Sequence, residues 1–293
     1  MENIVSCPVC GENSFIPFIQ CKDFSISKET FNIVSCAKCS FVLTNPRPAE
    51  SEIGKYYNSD IYISHHANKG GVIPWIYRKI RDKQFVNKTN LIKSYFNTEV
   101  SLLDIGCGTG DFLKYCGIFG WKTIGVEPDP DARKQAMDKG LDVYEPQHLD
   151  NIKTQYDVIT MWHVLEHVHS LDERLAQLVR LVKDDGIIII AVPNLQSFDA
   201  KYYKEYWAAY DVPRHLSHFS RESIDKLFRK YNLKLHATLP MKYDAYYVSI
   251  KSEEYKNKNF LLNMINGAKI GMQSNNDARK TNEYSSLIYV FKK

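Results

Sequence analysis

The sequence Leu102-Leu-Asp-Ile-Gly-Cys-Gly-Thr-Gly110 is the strongest structural signal in this chain. A short apolar run leads into Asp104 and three alternating glycines, and a helix-forming segment follows at once, from Asp111 to Phe119. Because glycine adopts positive φ readily, such a turn lets a ligand lie against backbone N–H groups at a helix N-terminus, where the dipole favours an anion. The stretch therefore predicts a strand, a ligand-binding turn and a helix.

The spacing of these glycines separates two classes of ligand. The dinucleotide fingerprint is G-x-G-x-x-G, whereas here Gly110 comes one residue early and Asp111 occupies the later position. Asp104 would repel a pyrophosphate but attract an ammonium group, so a zwitterion fits the turn better. A second predicted strand, Lys122 to Val126, ends at Glu127, where a carboxylate can accept hydrogen bonds from two ribose hydroxyls. An amino-acid group and a ribose together indicate S-adenosylmethionine.

With these residues the chain resembles the class I S-adenosylmethionine-dependent methyltransferases. Three further segments match in the expected order: Gly125-Val-Glu-Pro-Asp129, Tyr156-Asp-Val-Ile159 and Val164-Leu-Glu-His-Val168. The resemblance covers the chain from Tyr95 to Phe228. It implies that the cofactor is held by Asp104, Gly106, Cys107, Gly108, Gly110, Glu127, Pro128, His148, Leu149 and Trp162.

Strands and helices alternate from Ser101 onwards, which predicts an α/β fold with a Rossmann-like doubly wound sheet. The carboxyl ends of its strands, where ligands bind in such sheets, carry the glycine turn, Glu127 and the segment Trp162 to His167. Two later strands, Leu233 to Leu239 and Ser286 to Phe291, would form the antiparallel pair that the resemblance implies. The other predicted strands are Ser101–Ile105, Lys122–Val126, Asp142–Tyr144, Asp157–Met161 and Gly186–Val192, and predicted helices lie near residues 111–119, 131–139 and 171–181.

Four of the seven cysteines form two C-x-x-C pairs, Cys7-Pro-Val-Cys10 and Cys36-Ala-Lys-Cys39. Two such pairs in a protein of a reducing compartment predict a tetrahedral zinc site, because each pair supplies two thiolates to one ion. Two disulfides and unpaired cysteines are the alternatives. Zinc binding adds folding energy that so small a module could not obtain from its core. Since four thiolates leave no open position, we expect Cys7, Cys10, Cys36 and Cys39 to hold a structural Zn²⁺.

The chain divides into three predicted parts. Residues 1–44 form the zinc ribbon, residues 45–97 a linker and helical cover, and residues 98–293 the class I methyltransferase domain, with substrate-loop insertions at 195–219 and 240–285. The cover contains a short helix near residues 50–57 and an amphipathic helix near 74–96. Five polar aromatic residues at or between these helices either line the site or form a surface loop: Tyr56, Tyr57, Tyr62, His65 and His66. Residues 253–284, which are polar, form either a second cover or a loop.

Candidate catalytic residues follow the fourth predicted strand, where the chain reads Trp162-His-Val-Leu-Glu-His-Val-His169. Methyl transfer from a sulfonium mainly requires alignment of the reactants and removal of water, and a hydroxyl or carbon acid also needs a base. His163, Glu166 and His167 are the candidates, because a Glu-His pair can act as a base or bind a divalent ion. A Leu-Glu-His-Val stretch is widespread in the superfamily, so a structural role is the alternative.

An aromatic insertion follows the fifth predicted strand and extends from Pro193 to Phe219, before a helix from Arg221 to Tyr231 that Ser220 would cap. Aromatic walls suit sugars, rings or lipid-linked head groups, and Arg214 can hold a phosphate or carboxylate through two hydrogen bonds. An aromatic cluster packed over the sheet is the alternative. The candidate substrate-binding residues are Tyr206, Trp207, Arg214, His215 and His218.

Composition is that of an enzyme that folds around its own core. The chain has 293 residues, 44% of them hydrophobic, and a formal net charge of +4 without a long Lys/Arg block. Charge therefore does not indicate binding to nucleic acid or to an anionic membrane. The longest apolar run, Ile187 to Val192, is too short to span a bilayer, and the first residues do not resemble a signal peptide. We expect a cytoplasmic protein; its oligomeric state is left open.

Two kinds of methyltransferase carry a similar N-terminal ribbon. Some bacterial sugar C-methyltransferases combine a zinc module with a Glu-His site, matched here by the four cysteines, Glu166 and His167, but they carry a further C-terminal domain after the point that corresponds to Lys293. The others are ribosomal RNA methyltransferases with a zinc ribbon. The basic cluster Arg78, Lys79, Arg81 and Lys83 would contact phosphates in that case, or else form the solvated face of the covering helix.

The sequence thus predicts an S-adenosylmethionine-dependent methyltransferase that acts on a small or carrier-bound acceptor, such as a sugar, polysaccharide or metabolite intermediate. An RNA methyltransferase that grips its substrate with the ribbon is the first alternative. A catalytically inactive cofactor-binding module is the second, although Asp104, the three glycines and Glu127 are all present.

Overall fold

The computed structural model describes residues 1–57, 72–256 and 259–293, with side chains from residue 79 onwards in the first helix. Tyr62, His65 and His66, whose role the sequence left open, lie outside the described residues, as does the side chain of Arg78. The chain forms two compact units. The first consists of Met1–Tyr57, His163–Leu175 and Ile190–Phe291, and the second of the described part of residues 58–162 with Ala176–Ile189 and Lys292–Lys293.

The described residues contain strands and helices in an order that begins with strands and alternates from residue 101. The strands are β1 (Phe15–Lys22), β2 (Thr30–Cys36), β3 (Val42–Thr44), β4 (Ser101–Ile105), β5 (Lys122–Val126), β6 (Val143–Tyr144), β7 (Tyr156–Trp162), β8 (Val182–Pro193), β9 (Ser217–His218), β10 (Lys234–Pro240) and β11 (Ser286–Lys292). The helices are α1 (Val72–Lys93), α2 (Asp111–Gly117), α3 (Pro130–Met137), α4 (His148–Asn151), α5 (Leu171–Leu181), α6 (Phe198–Tyr203), α7 (Arg221–Arg229), α8 (Asp244–Lys256) and α9 (Phe260–Thr281).

A parallel sheet forms the second unit. β4 pairs in parallel with β5 on one side and with β7 on the other, and β5 pairs in parallel with β6. Four of the five residues of β4 are buried, as expected for a parallel strand covered on both faces. Among the described residues, the strands of this sheet follow the order β10-β11-β8-β7-β4-β5-β6. The predicted α/β, doubly wound architecture is therefore confirmed.

A second, smaller sheet lies in the first unit and includes the N-terminal ribbon. β1, β2 and β3 form an antiparallel meander, and β3 then pairs with β9, so that Val42 lies opposite His218 and Leu43 opposite Ser217. The sequence did not predict β9, which comes from the aromatic insertion. The ribbon therefore shares its sheet with a segment about 170 residues further along the chain.

One hydrophobic core holds the parts of the first unit together. Phe31 and Ile33 of the ribbon pack in the same cluster as Trp207 and Tyr210 of the insertion and Val248 of α8. Each fully buried aliphatic or aromatic side chain of this kind contributes about 1.5–3 kcal/mol. Burial of apolar side chains therefore stabilises the ribbon, in addition to any ion that its four cysteines bind.

Most element predictions agree with the structure to within a few residues, and two differ. The predicted helix near residues 50–57 is a single 3₁₀ turn, Ile53–Tyr56. The loop alternative for residues 253–284 is wrong, because α8 and α9 occupy most of that range. The cap at Ser220 is confirmed: its hydroxyl accepts from the Ser223 amide in a reciprocal capping box. Within the described ranges, none of the helices is both long and apolar enough to cross a membrane.

Candidate functional site

The glycine turn lies between β4 and α2, as predicted. Gly106, Gly108 and Gly110 all have positive φ, at 75°, 56° and 75°. At Gly110 an added Cβ would lie 2.4 Å from the Leu141 side chain, whereas at Gly108 it would meet nothing within 4 Å. Gly110 is therefore required for packing, and Gly108 leaves open space beside the backbone where a ligand can lie.

The backbone amides of this turn, which we expected to face a ligand, donate hydrogen bonds within the protein instead. The amides of Gly106 and Cys107 both donate to the carbonyl of Val126, at 2.7 and 3.2 Å, and the Gly110 amide donates to the Cys107 carbonyl. The Gly108 amide donates to Glu127 at 2.7 Å. The first two of these amides and that of Gly108 thus hold the turn against the end of β5, and the amide of Gly110 closes the turn on itself. The prediction that these four N–H groups face the ligand is wrong for them. What the turn offers is its shape and the side chains around it.

Asp104 and Glu127 are two buried carboxyl groups at the carboxyl ends of neighbouring parallel strands. Asp104 accepts a hydrogen bond of 2.6 Å from the Thr160 hydroxyl, and burial raises its pKa to about 6. Glu127 accepts from the amides of Gly108 and Asp129, and burial raises the pKa of this carboxyl as well. Both groups are held in fixed positions, as binding residues require.

The other residues predicted to contact the cofactor also lie in the second unit. Trp162 packs edge-on against Phe112, with the Lys88 ammonium 4.0 Å from its ring centre. Its indole N–H is buried and has no hydrogen-bond partner among the described residues. His148 stacks on Tyr144 with ring centres 3.9 Å apart. Leu149 is fully buried, so its side chain belongs to the core and offers no surface to a ligand.

The four predicted zinc ligands come together in the first unit. The Sγ atoms of Cys7 and Cys39 are 3.6 Å apart, those of Cys10 and Cys36 are 3.5 Å apart, and all four lie within 4.8 Å of one another. A disulfide requires about 2.05 Å, so the two-disulfide alternative is wrong for this structure. Thiolates bound tetrahedrally at about 2.3 Å lie about 3.8 Å apart, which these distances match.

Both cysteine pairs have the same backbone hydrogen bonding. The amide four residues after the first cysteine donates back to its carbonyl, from Gly11 to Cys7 and from Ser40 to Cys36. Gly11 and Ser40 both have positive φ. Two turns of identical form that present four sulfur atoms to one point are the arrangement expected of a metal site.

His163 lies between two carboxylates of the first unit. Its Nδ1 is 3.3 Å from Glu166 and its Nε2 is 3.0 Å from Asp244. Burial disfavours the charged ring, but the hydrogen bonds to Asp244 and Glu166 outweigh it and raise the pKa of His163 to about 10. These two partners therefore favour the imidazolium form of His163, which does not suit the predicted role as a general base.

Glu166, His167 and His215 form a compact cluster in the first unit. One ligand atom of each lies within 4.8 Å of the others, and the two imidazole rings meet edge to face at 4.6 Å. Burial lowers the pKa of His167 to about 4, so this ring is neutral. For Glu166, burial opposes ionisation, but the hydrogen bond and charge of His163 lower its pKa. The cluster therefore combines a carboxylate with at least one neutral imidazole.

Arg214 does not have the predicted role. Its guanidinium donates to Asp211 through Nε and Nη2, to Asp23 at 3.1 Å, and to the carbonyl of Tyr56 at 3.0 Å. These partners raise its pKa further despite burial. A guanidinium that is buried and bonded in this way is part of the framework of the first unit, and it has no free fork for a phosphate or carboxylate.

The remaining predicted substrate-binding residues divide into two groups. Trp207 is buried, with its indole N–H donating to the buried Asp199, and His218 is buried against the Thr44 hydroxyl at 3.1 Å. Burial lowers the pKa of His218 to about 3. Both belong to the core, so the alternative of an aromatic packing cluster applies to them. Tyr206 is partly exposed and packs at 5.6 Å from Phe24.

Three residues of the first unit that contact the candidate site were not predicted in these roles. Asp23 and Asp244 supply the carboxylates that pair with Arg214 and His163, and the Tyr57 hydroxyl lies 3.0 Å from Nδ1 of His167. The sequence left open whether Tyr57 lines the site or belongs to a surface loop. Asp23 and Asp244 carry no signal in the sequence, because each is separated from its partner by tens of residues or more.

Fold and site together define a methyltransferase of the class I type. A family model described as "Methyltransferase domain" matches residues 77–238, which is more than half of the chain. The chain belongs to this methyltransferase family. The resemblance to S-adenosylmethionine-dependent methyltransferases that its motifs indicated is thereby confirmed.

Two curated relatives carry related names. The chain is 30% identical over 152 residues to the mitochondrial ubiquinone biosynthesis O-methyltransferase of Saccharomyces cerevisiae, and the match covers 48% of each chain. It is 30% identical over 144 residues to a ubiquinone biosynthesis O-methyltransferase of Rickettsia bellii, covering 43% of this chain and 56% of the relative. The match thus spans only about half of either relative.

A solved structure supports the fold. Magnesium protoporphyrin IX methyltransferase from Synechocystis PCC 6803, solved with bound SAH, has a TM-score of 0.52 to this chain. It is 14% identical, and the match covers 80% of this chain and 95% of that one. At this identity the likeness concerns the fold alone.

Proposed function

We propose that this protein transfers a methyl group from S-adenosylmethionine to an oxygen of a small-molecule acceptor. The observation that carries the proposal is the buried Glu127 carboxylate, which two backbone amides hold at the end of β5, next to the glycine turn. A fixed carboxylate at this position suits the two hydroxyls of a ribose. Family membership and the two relatives named as O-methyltransferases support it.

The residues of the second unit fit this cofactor. The space beside Gly108 can take the amino-acid part, and Asp104 is available to attract its ammonium group. The buried indole N–H of Trp162, which has no partner in the described part of the chain, marks a position where a bound ligand supplies an acceptor. When bound, the cofactor provides a methyl group already activated by its sulfonium. The protein then has to fix its position and exclude water.

The acceptor side of the proposal rests on the first unit. Glu166, His167 and His215 present acceptor atoms close together, and His167 is neutral, so these residues are the best candidates to bind the acceptor and take its proton. An acceptor carried on a sugar, polysaccharide or other carrier is the finer form of this proposal. The names of the relatives favour a free small molecule over those forms.

We also propose that the four cysteines hold a structural Zn²⁺. Four sulfur donors at nearly tetrahedral spacing suit zinc and leave no position for a substrate. The site then has no direct role in catalysis and supports the ribbon. A thiolate site that must stay reduced agrees with a cytoplasmic location, which remains part of the proposal.

Calorimetric titration of S-adenosylmethionine into the purified protein tests the function, with NAD as the control ligand. We expect binding of the methyl donor, no binding of NAD, and release of S-adenosylhomocysteine when hydroxylated small molecules are added. Binding that requires a short structured RNA would favour the RNA methyltransferase alternative. Absence of binding to the donor under either condition would contradict the proposal and leave an inactive fold.

A further inference from the structure

The buried carboxylate of Glu166 is only half paired. Its Oε1 lies 3.3 Å from Nδ1 of His163, whereas Oε2 is buried without a hydrogen-bond partner among the described residues. A buried carboxyl oxygen without a hydrogen bond is costly, and a bound ligand or ion is one explanation for such an atom in a folded protein. The position of Oε2, in the cluster with His167 and His215, shows where that ligand would bind.

The two histidines of this cluster are each oriented by a backbone carbonyl. Nδ1 of His167 lies 3.0 Å from the Arg214 carbonyl, and Nδ1 of His215 lies 2.8 Å from the Ala209 carbonyl. Because a carbonyl oxygen can only accept, each Nδ1 carries the proton in this arrangement, and each Nε2 keeps its lone pair. Orientation of an imidazole by a backbone carbonyl is the usual outer support of a metal-bound histidine.

The geometry points to a metal centre, and we propose that Glu166, His167 and His215 together bind one divalent first-row transition-metal ion. Their ligand atoms lie within 4.8 Å of one another, and ligands bound at about 2.1 Å lie at most about 4.2 Å apart, so the side chains need to draw together only slightly. Two imidazoles and a carboxylate suit manganese, iron, cobalt or zinc. Three protein ligands leave coordination positions open.

This centre differs in kind from the four-cysteine site of the same unit. Four thiolates form a closed, soft site that suits zinc, whereas the nitrogen and oxygen ligands of the second cluster form a harder and open one. If the proposed function holds, the open positions take the oxygen of the acceptor, and the ion lowers the pKa of that hydroxyl, so that the proton leaves more readily. Metal binding itself does not depend on that function.

Manganese is the probe that separates the two centres, because Mn²⁺ binds poorly to thiolate sites. The experiment titrates Mn²⁺ into the protein with one equivalent of zinc bound, and follows the free ion by electron paramagnetic resonance. We expect one Mn²⁺ site in the wild type, and at least a tenfold weaker affinity in His215→Gln. The matched control is His169→Gln, whose ring contacts the Pro48 carbonyl in the same unit and does not belong to the cluster; it should bind Mn²⁺ as the wild type does.

Two results would overturn the proposal: a wild type that binds no Mn²⁺, or a His215→Gln variant that binds it unchanged. If His215→Gln does not fold, spin-echo modulation of Mn²⁺ bound to the wild type decides instead, since the proposal requires couplings to two imidazole nitrogens and their absence contradicts it. S-Adenosylmethionine is titrated into the same proteins. Retained donor binding with no Mn²⁺ site would refute the metal centre alone, and Mn²⁺ binding without donor binding would refute the proposed function alone.

Discussion

The glycine-turn region and the histidine cluster are built from the chain in opposite ways. In the second unit, Asp104, the three glycines, Glu127 and Trp162 lie at the ends of three neighbouring strands of one parallel sheet, β4, β5 and β7. In the first unit, the histidine cluster and the residues that hold it in place come from distant parts of the chain, which include Asp23, Tyr57, Glu166, Arg214 and Asp244. The difference teaches that a local backbone requirement is visible in a sequence, whereas a site assembled from distant side chains is not.

The two regions also differ in how completely their carboxylates are paired. Both oxygens of Glu127 accept backbone amides, so this side chain is fixed before any ligand arrives. Glu166 has one oxygen on His163 and one without a partner in the described chain. The carboxylate of Glu127 is therefore fully paired within the protein, whereas that of Glu166 keeps an acceptor atom that a ligand can satisfy.

Removal of the zinc ion that we propose at the four cysteines should have the largest effect, and this effect should fall on the first unit. Structural zinc contributes about 10 kcal/mol or more to folding, and the ribbon connects through β3 and β9 to the segment that carries His215. A strong chelator should therefore lower the melting temperature of the first unit sharply. Thermal unfolding with and without chelator checks this, with Cys107→Ser as a control that keeps its zinc. A metal-free protein that melts as the wild type does would contradict the zinc site.

Replacement of Arg214 should have the next largest effect. Arg214→Met leaves Asp23 and Asp211 without their partner, and breaking a buried pair in this way costs about 3–5 kcal/mol. The matched control is Arg229→Met, which removes an exposed pair with Asp225 and should cost less than about 1 kcal/mol. Urea unfolding measures both. Equal costs for the two variants would show that Arg214 is not a framework residue.

The pH dependence of cofactor affinity should be a smaller effect, confined to the second unit. Because burial raises the pKa of Asp104 to about 6, this carboxyl loses its charge as the pH falls below that value. The neutral acid does not attract an ammonium group, so affinity for S-adenosylmethionine should be about tenfold lower at pH 5 than at pH 7. Calorimetry over this range provides the measurement. Asp104→Asn should bind weakly at every pH, and a flat wild-type profile would contradict the assignment.

The smallest expected effect is on stability and compares two glycines of the turn. Gly108→Ala adds a methyl group to open space, so its cost is the strain of positive φ alone, about 1 kcal/mol. Gly110→Ala should cost more, because its Cβ would lie 2.4 Å from Leu141. Urea unfolding of the two variants tests the order. A greater cost at Gly108 would mean that the space beside it is not open.

What could be predicted from the sequence follows the same division. The glycine turn, the acidic end of β5 and both cysteine pairs were predictable, because each depends on residues close in the chain. The pairing of β3 with β9 was not, since a two-residue strand in an aromatic insertion gives no periodic signal. The role of Arg214 was misassigned because nothing near it in the sequence indicates that Asp23 is its partner. The use of the turn amides within the protein is likewise a tertiary feature.

The most direct test of the central claim, that the second unit holds S-adenosylmethionine through Glu127, is calorimetric titration of the donor into Glu127→Gln. An amide at this position cannot accept two amide hydrogen bonds and two ribose hydroxyls as a carboxylate does, so we predict a loss of about 2 kcal/mol or more in binding free energy. Glu99→Gln, an exposed change just before β4, is the matched control and should bind as the wild type does. Unchanged affinity in Glu127→Gln would contradict the account.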